Sequence, residues 1–268
     1  MLVVTHYEIQ IEHLPQALQG LRAVLLADLH GHYFGPHNCD LLRAVLQEKP
    51  DFVVAAGDML EDAHEHGAAF LELLKGLVGH FPVYCIRGNH EQHLTTLPDE
   101  YPVLRAYERS LRRIGATVLN DTSVRYTKAG KSIHLYGAAL SMASYHPWAA
   151  RNPERCLSVH GLNRHLGICD QTHPSILLIH TPIFFPTYAD WGADVVLAGH
   201  MHGGLIRLPK LRGLLSPYRQ FFPKYDAGLF TKGKSTLVLS RGLGDSKMRF
   251  RLNNPPEVVT LVFSSREG

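Results

Sequence analysis

Carboxylates, imidazoles and one amide recur at short spacings along this chain: Asp28-x-His30, Gly57-Asp58, Gly88-Asn89-His90-Glu91, a lone His180, and Gly199-His200-Met201-His202-Gly203-Gly204. In an extended segment residues two apart point the same way, so Asp28 with His30, and His200 with His202, can each face one cation. Asp58 has two carboxylate oxygens able to bridge two cations, and Gly57 before it admits close backbone approach. Asn89 adds a neutral oxygen. Mixed nitrogen and oxygen ligands without thiolate suit Mn²⁺, Fe²⁺ or Zn²⁺ better than a structural zinc cage. Two divalent ions bring about +4, and Asp28 with Asp58 return about −2. The remainder of roughly +2 can hold a phosphate and acidify water.

Each group closes a short apolar run. Val24-Leu25-Leu26-Ala27 leads into Asp28, Phe52-Val53-Val54-Ala55-Ala56 into Gly57-Asp58, and Val83-Tyr84-Cys85-Ile86 into Arg87-Gly88-Asn89-His90. Ile176-Leu177-Leu178-Ile179 leads into His180, and Val195-Val196-Leu197-Ala198 into Gly199-His200. Such Val- and Ile-rich runs bounded by turn residues read as buried strands. Ligands collect at the carboxyl ends of strands in open α/β sheets. Helical patterns over Asp40–Glu48, 63–78 and 104–114 alternate with the first strands, which argues a sheet with helices packed outside it. After Gly115 the runs at 117–119, 123–126 and 132–136 read as antiparallel strands, and 152–166 as one helix with Pro153 in its first turn. Strands then return around Ile176, Val195, Thr236–Leu239 and Val258–Phe263. No Ser/Gly linker or repeat divides the chain, so residues 1–268 are expected to form one domain of two packed sheets flanked by helices.

Composition bounds the alternatives. A hydrophobic content of 45% and a charged content of 19% are those of an ordinary folded protein, and a net charge of +3 excludes a general polyanion-binding role. Specific nucleic-acid binding is not expected. Four cysteines without C-x-x-C pairing read as reduced thiols. The N-terminal residues lack the basic and apolar regions of a signal peptide, and no run reaches the roughly 18 apolar residues of a membrane span. A cytoplasmic location is expected, peripheral at most to the inner face of the membrane. Of the 18 histidines, a binuclear centre uses only about four or five.

At these motifs the chain resembles the calcineurin-like metallophosphoesterases, whose pattern D-x-H, G-D, G-N-H-[ED], lone H and G-H-x-H it meets in order across nearly its whole length. The resemblance implies a four-layer αββα sandwich with a binuclear site at the strand ends. It implies one metal held by Asp28, His30, Asp58 and His202, and another by Asp58, Asn89, His180 and His200. It makes His90 the catalytic histidine. A narrower likeness to the bacterial YkuE/YaeI-type phosphodiesterase branch lies in Gly203–Pro209, Tyr225–Leu229, Ser240-Arg241-Gly242-Leu243-Gly244 and Arg251-Leu252-Asn253-Asn254-Pro255-Pro256-Glu257. Many members of that branch carry an export signal or membrane anchor.

The expected activity is metal-dependent hydrolysis of a phosphodiester, with hydroxide held by the two ions attacking phosphorus in line. Mn²⁺ is the first choice of ion, with Fe²⁺ or Zn²⁺ as alternatives. One rival is a pyrophosphohydrolase of a lipid-linked nucleotide of the UDP-2,3-diacylglucosamine type. Another is a catalytically silent scaffold, against which every ligand position is intact. Glu91 reads as an acceptor orienting a ligand. Glu61 is either that or a helix-start carboxylate. Arg87 reads as a structural ion pair, and His64 and His93 as surface residues. Between Gly203 and Tyr225 lie Arg207, Lys210, Arg212, Arg219 and Lys224 among leucines and phenylalanines, with no acid. Leaving directly from His202, this segment is expected to rim the site, with Arg207, Arg212 and Arg219 receiving an anionic part of the substrate. Residues 205–222 are then candidates for lipid or membrane contact. No obligate protein partner is implied.

Overall fold

The computed structural model describes residues 2–204, 207, 213–244 and 251–266. Its first half runs β1 (Val3–Ile11), β2 (Arg22–Leu26), α1 (Cys39–Glu48), β3 (Phe52–Ala55), α2 (Ala68–Leu77), β4 (Val83–Cys85), α3 (Asn89–Leu94), α4 (Tyr101–Ile114) and β5 (Thr117–Val118). The second half runs β6 (Thr122–Lys128), β7 (Lys131–Ala138), α5 (Pro147–Arg151), α6 (Pro153–Cys156), α7 (Val159–Leu166), β8 (Ser175–Ile179), α8 (Phe185–Trp191), β9 (Val195–Ala198), β10 (Gly228–Lys232), β11 (Ser235–Leu239) and β12 (Glu257–Ser265). One sheet has the order β1-β12-β2-β3-β4-β5 and the other β10-β11-β9-β8-β7-β6. The last strand thus returns to the first sheet, parallel to β1 and antiparallel to β2.

Alternation along the strands decides the layers. Leu25, Val54 and Tyr84 of the first sheet meet Leu135, Ile176, Leu197 and Val238 of the second in a central core. The opposite faces, through Val24, Val53 and Val83 on one side and Leu177, Val196 and Leu237 on the other, bury α1, α2 and α4, and α7 and α8, respectively. This is the expected αββα sandwich. Because both faces of the central strands are covered, they read as continuous apolar runs. Phe52 is fully buried, with its ring 5.8 Å from that of Tyr84. Truncating such a residue to alanine costs about 3–5 kcal/mol.

The elements depart from expectation in three places. The short strand at Thr117 pairs in parallel with β4, at the edge of the first sheet, instead of opening an antiparallel meander. The helix expected over 152–166 is broken: Leu157 is extended, and Ser158 restarts the chain as α7 by accepting the Gly161 N–H at 3.1 Å. Helix α2 begins at Ala68 because Asp62 accepts the N–H groups of His64 and Glu65, holding that segment in a turn. No helix among the described residues is long and apolar enough to cross a membrane.

Candidate metal centre

Parallel pairing of β2, β3 and β4, and of β7, β8 and β9, brings the carboxyl ends of these strands to one side. The loops leaving them deliver every motif. Asp28, His30, Asp58, His200 and His202 all have positive φ, between 48° and 73°. For residues other than glycine this conformation costs on the order of 1–3 kcal/mol each and persists only where the surroundings over-determine it. They do so here. Asp28 donates its N–H to the Gly57 carbonyl, and His30 donates its N–H to the Asp58 carbonyl. The Asp28 carboxylate accepts the His200 N–H at 2.9 and 3.1 Å, and Asp58 Oδ1 accepts the His90 N–H at 2.8 Å. Gly57, at φ 90°, is needed for space as well: a Cβ there would lie 2.5 Å from the Gly88 nitrogen.

Three groups of side chains converge among the described residues. Asp28, His30 and His202 bring one ligand atom each within 4.8 Å of one another, and so do Asp58, His180 and His200, and His30, Glu61 and His90. His30 Nε2 lies 3.2 Å from His202 Nε2, which lies 3.6 Å from Asp28 Oδ1. Asp58 Oδ2 joins the groups, 3.0 Å from His180 Nε2 and 3.9 Å from His30 Nε2. The fit to cations can be tested on the polar atoms left over. Asn89 Oδ1 and His200 Nε2 are buried and have no hydrogen-bond partner, and His180 Nε2 has no aligned one, facing only the Asp58 carboxylate at 3.0 Å and that of Asp28 at 3.7 Å. Buried polar atoms are satisfied in native proteins unless an ion or water completes them. His180 donates Nδ1–H to the Ala56 carbonyl at 2.7 Å, an assignment fixed by the carbonyl being acceptor-only, so Nε2 is the nitrogen left to face the site. The donor set fits two divalent ions.

Electrostatics divide the imidazoles. Burial, then the charge of neighbouring imidazoles, holds His200 and His202 well below the usual histidine range, in the neutral form that ligates. Burial disfavours charge on His180, but Asp58 and Asp28 outweigh it and raise His180 to about 9. Asp58 is held well below the carboxylate range by His180 and His90 despite its burial.

The supporting residues sort themselves. Glu91 is buried and accepts the N–H groups of Gly88, Asp58, Met59 and Leu60 at 2.8–3.2 Å, bracing the two loops that carry Asp58 and Asn89. Glu61 is no helix-start residue. Its carboxylate lies 2.6 Å from His30 Nδ1, and its carbonyl lies 2.6 Å from His90 Nδ1. Both imidazoles therefore present Nε2 to the site. Arg87 pairs with Glu108 at 2.7 Å. His64 and His93 are exposed, yet together with Asn89, His90 and Leu97 they line a cavity of about 480 Å³ beside His90.

Two residues escaped sequence reasoning. The rings of Tyr145 and Tyr218 stand edge-on to His200, at 5.2 and 4.8 Å between centroids, and the Tyr218 hydroxyl bonds to that of Thr181 at 2.6 Å. No ligand motif contains either, and only their place near turns after β7 and β9 could have drawn attention. Tyr218 shows that the segment after His202 does return to the centre. Its arginines are less uniform than expected. Arg207 is tied to Asp226 at 3.1 Å and to the Gly203 carbonyl. Arg219 is exposed, and Arg212 lies outside the described residues. Phe221 and Phe222 are 69% and 59% exposed.

The family model described as calcineurin-like phosphoesterase matches residues 21–204. Along 270 residues the chain is 26% identical to the metallophosphoesterase YkuE of Bacillus subtilis, covering 99% of this chain and 86% of that protein. It is 27% identical over 243 residues to phosphodiesterase YaeI of Escherichia coli, covering 90% and 81%. It is 26% identical over 287 residues to UDP-2,3-diacylglucosamine pyrophosphatase LpxG of Chlamydia muridarum, covering 91% and 84%.

Proposed function

Because the chain belongs to the calcineurin-like phosphoesterase family, we propose that its clustered side chains hold two divalent cations and hydrolyse a phosphodiester. The observation that carries this reading is the convergence of Asp58, His180 and His200, and of Asp28, His30 and His202, with Asn89 Oδ1 and His200 Nε2 buried and unpartnered. One ion takes Asp28, His30, Asp58 and His202; the other takes Asp58, Asn89, His180 and His200. The absence of thiolate among these donors favours Mn²⁺, with Fe²⁺ or Zn²⁺ as substitutes. When bound, such ions neutralise phosphate charge and lower the pKa of water toward neutrality. Ligands come from both sheets across one shared core, which supports residues 1–268 working as a single domain.

The chain's own residues do the rest. Asp58 keeps its second oxygen for the ions because the first is engaged by the His90 N–H. Glu61 turns His30 toward the ion and, through its carbonyl, turns His90 Nε2 toward the departing oxygen, to which His90 gives a proton. The cavity beside His90 receives the leaving group. A specific observation favours a second reading, the pyrophosphohydrolase of a lipid-linked nucleotide: Phe221, Phe222 and Arg219 are exposed together on a segment that also touches the centre through Tyr218. Such a rim suits an anionic headgroup with acyl chains, or a membrane surface.

A hydrolysis screen with Mn²⁺ separates these readings, using aryl phosphodiesters, cyclic nucleotides, nucleotide-sugars, a diacylated UDP-sugar and phospholipids. Turnover of diesters with little on pyrophosphates supports the first reading, and the reverse supports the second. No turnover of any phosphorus ester by protein loaded with two ions would refute both.

A further inference from the structure

The Ser240–Gly244 and Arg251–Glu257 motifs lie beyond the family-matched residues 21–204 and contribute no metal ligand. We propose that they form a clamp that fixes the backbone of Asp28 and His202, with Arg251 and Asn254 as its positioning residues. The proposal rests on the reading that Asp28 and His202 share one cation.

The loop after β11 continues the strand-end layer and lies directly on Asp28. Leu243 donates its N–H to the Ala27 carbonyl at 3.0 Å, and Gly244 donates its N–H to the Asp28 carbonyl at 2.6 Å. Gly242, at φ 73°, is so close that an added Cβ would sit 2.8 Å from both Cβ and Oδ2 of Asp28. This loop is itself held. Arg251 donates Nη1 to the carbonyls of Arg241, at 3.0 Å, and Gly242, at 3.3 Å, and Nη2 to that of Gly244. Asn254, 2% exposed, donates Nδ2 to the His202 carbonyl at 2.5 Å. It also packs against the turn after His202, where a Cβ on Gly203 would meet its Oδ1 at 2.6 Å.

Glu257, the first residue of β12, anchors the assembly. It accepts Arg241 N–H at 2.9 Å, Arg241 Nη2 at 2.7 Å and the Thr5 hydroxyl at 2.5 Å, and donates its own N–H to the Gly242 carbonyl. Since β12 lies between β1 and β2, the clamp is tied to the strand that delivers Asp28. The need for it follows from conformation. Asp28 and His202 hold φ of 52° and 48°, which the backbone leaves when nothing restrains it. A guanidinium shared among three carbonyls and an amide on a fourth fix two ligands from opposite sheets in one register.

A passive cover over the site would stabilise both cations alike, whereas a clamp on Asp28 and His202 acts chiefly on one. The test is calorimetric titration of MnCl₂ into metal-free full-length protein, comparing wild type with Arg251→Met, Arg251→Lys and Asn254→Ala. His30→Ala and His180→Ala mark which binding step belongs to which group. The expected result is loss of roughly 10–100-fold in affinity at the step that His30→Ala removes, a much smaller change, passed on through the Asp28–His200 hydrogen bonds, at the step that His180→Ala removes, and partial recovery with Arg251→Lys. If Asn254→Ala fails to fold, Asn254→Ser reports the same comparison. Equal weakening of both steps, or of neither, overturns the clamp while leaving the metal reading intact. A wild-type protein that binds fewer than two ions removes the metal reading and the clamp with it.

Discussion

Replacing Asp58 by asparagine probes the centre at its junction. Asp58 is 1% exposed, and its Oδ2 is the atom within 3.0 Å of His180 Nε2 and 3.9 Å of His30 Nε2. Asparagine is nearly isosteric and keeps an oxygen to accept the His90 N–H, so the backbone around residues 57–60 should stay in place. The substitution removes one negative charge between two cations. A unit pair at 4 Å is worth about 4 kcal/mol at an effective dielectric near 20. With the amide oxygen kept on the His90 N–H, the amide nitrogen takes the Oδ2 position and brings no lone pair to the ions, so the loss is roughly 4 kcal/mol per ion, or about 10³-fold in affinity at each site. The net charge of the loaded centre rises from roughly +2 to +3, so a released phosphate should also leave more slowly. Metal content after gel filtration, together with calorimetric titration, reads both steps. Asp58→Asn should lose affinity at both and hydrolyse an aryl phosphodiester at a small fraction of the wild-type rate. Two ions bound at wild-type affinity with full turnover would refute the bridging assignment.

His90→Ala should keep both ions and lose roughly 10²–10⁴-fold in turnover, measured with loaded protein, and near-normal turnover would make His90 a loop residue only. Glu61→Gln should weaken the Asp28–His30–His202 ion about 10–100-fold, with His90 left in place by the Glu61 carbonyl, as calorimetry and a crystal structure of the variant would show. In metal-free protein the raised His180 contributes stability that is fully present below its unfolded value near 6.5 and lost as pH rises through about 9. Its proton must leave when the ion binds, so affinity at that site should fall by about tenfold per pH unit below about 9, and a flat profile between pH 7 and 9 would contradict this. Arg219→Glu should raise KM for a large anionic substrate and leave a small aryl phosphodiester nearly unchanged, and equal losses on both would count against a substrate-facing rim.

The ligands were legible because each follows a strand that is buried on both faces, so a continuous apolar run marks where the chain must emerge. Five such emergences ending on Asp28, Asp58, Asn89, His180 and His200 meet once parallel pairing aligns the strand ends within each sheet and the two sheets pack face to face. Pairing direction was less legible. Thr117 and Val118 form a two-residue strand whose partner is set by α4 returning it to the edge beside β4, not by its own pattern. Ser158 could have signalled a helix restart, but Pro153 upstream offered an equally good first turn. The positive φ of Asp28, Asp58 and His202 leaves no trace in composition, since none is glycine. The interval from Gly203 to Tyr225 holds no acid, so Arg207 looks free for substrate in sequence, yet its partner is Asp226, one residue beyond. The Asn254–His202 and Gly244–Asp28 contacts join residues far apart in sequence, whose meeting depends on β12 crossing back between β1 and β2.

The central claim is that Asp58 lies between two cations held by two distinct sets of side chains. Anomalous diffraction at the manganese edge from Mn²⁺-loaded crystals tests it most directly. Two peaks about 3.5–4 Å apart are expected. One should contact Asp28, His30 and His202, the other Asn89, His180 and His200, with Asp58 touching both. A single peak, or two peaks of which only one reaches Asp58, would contradict it.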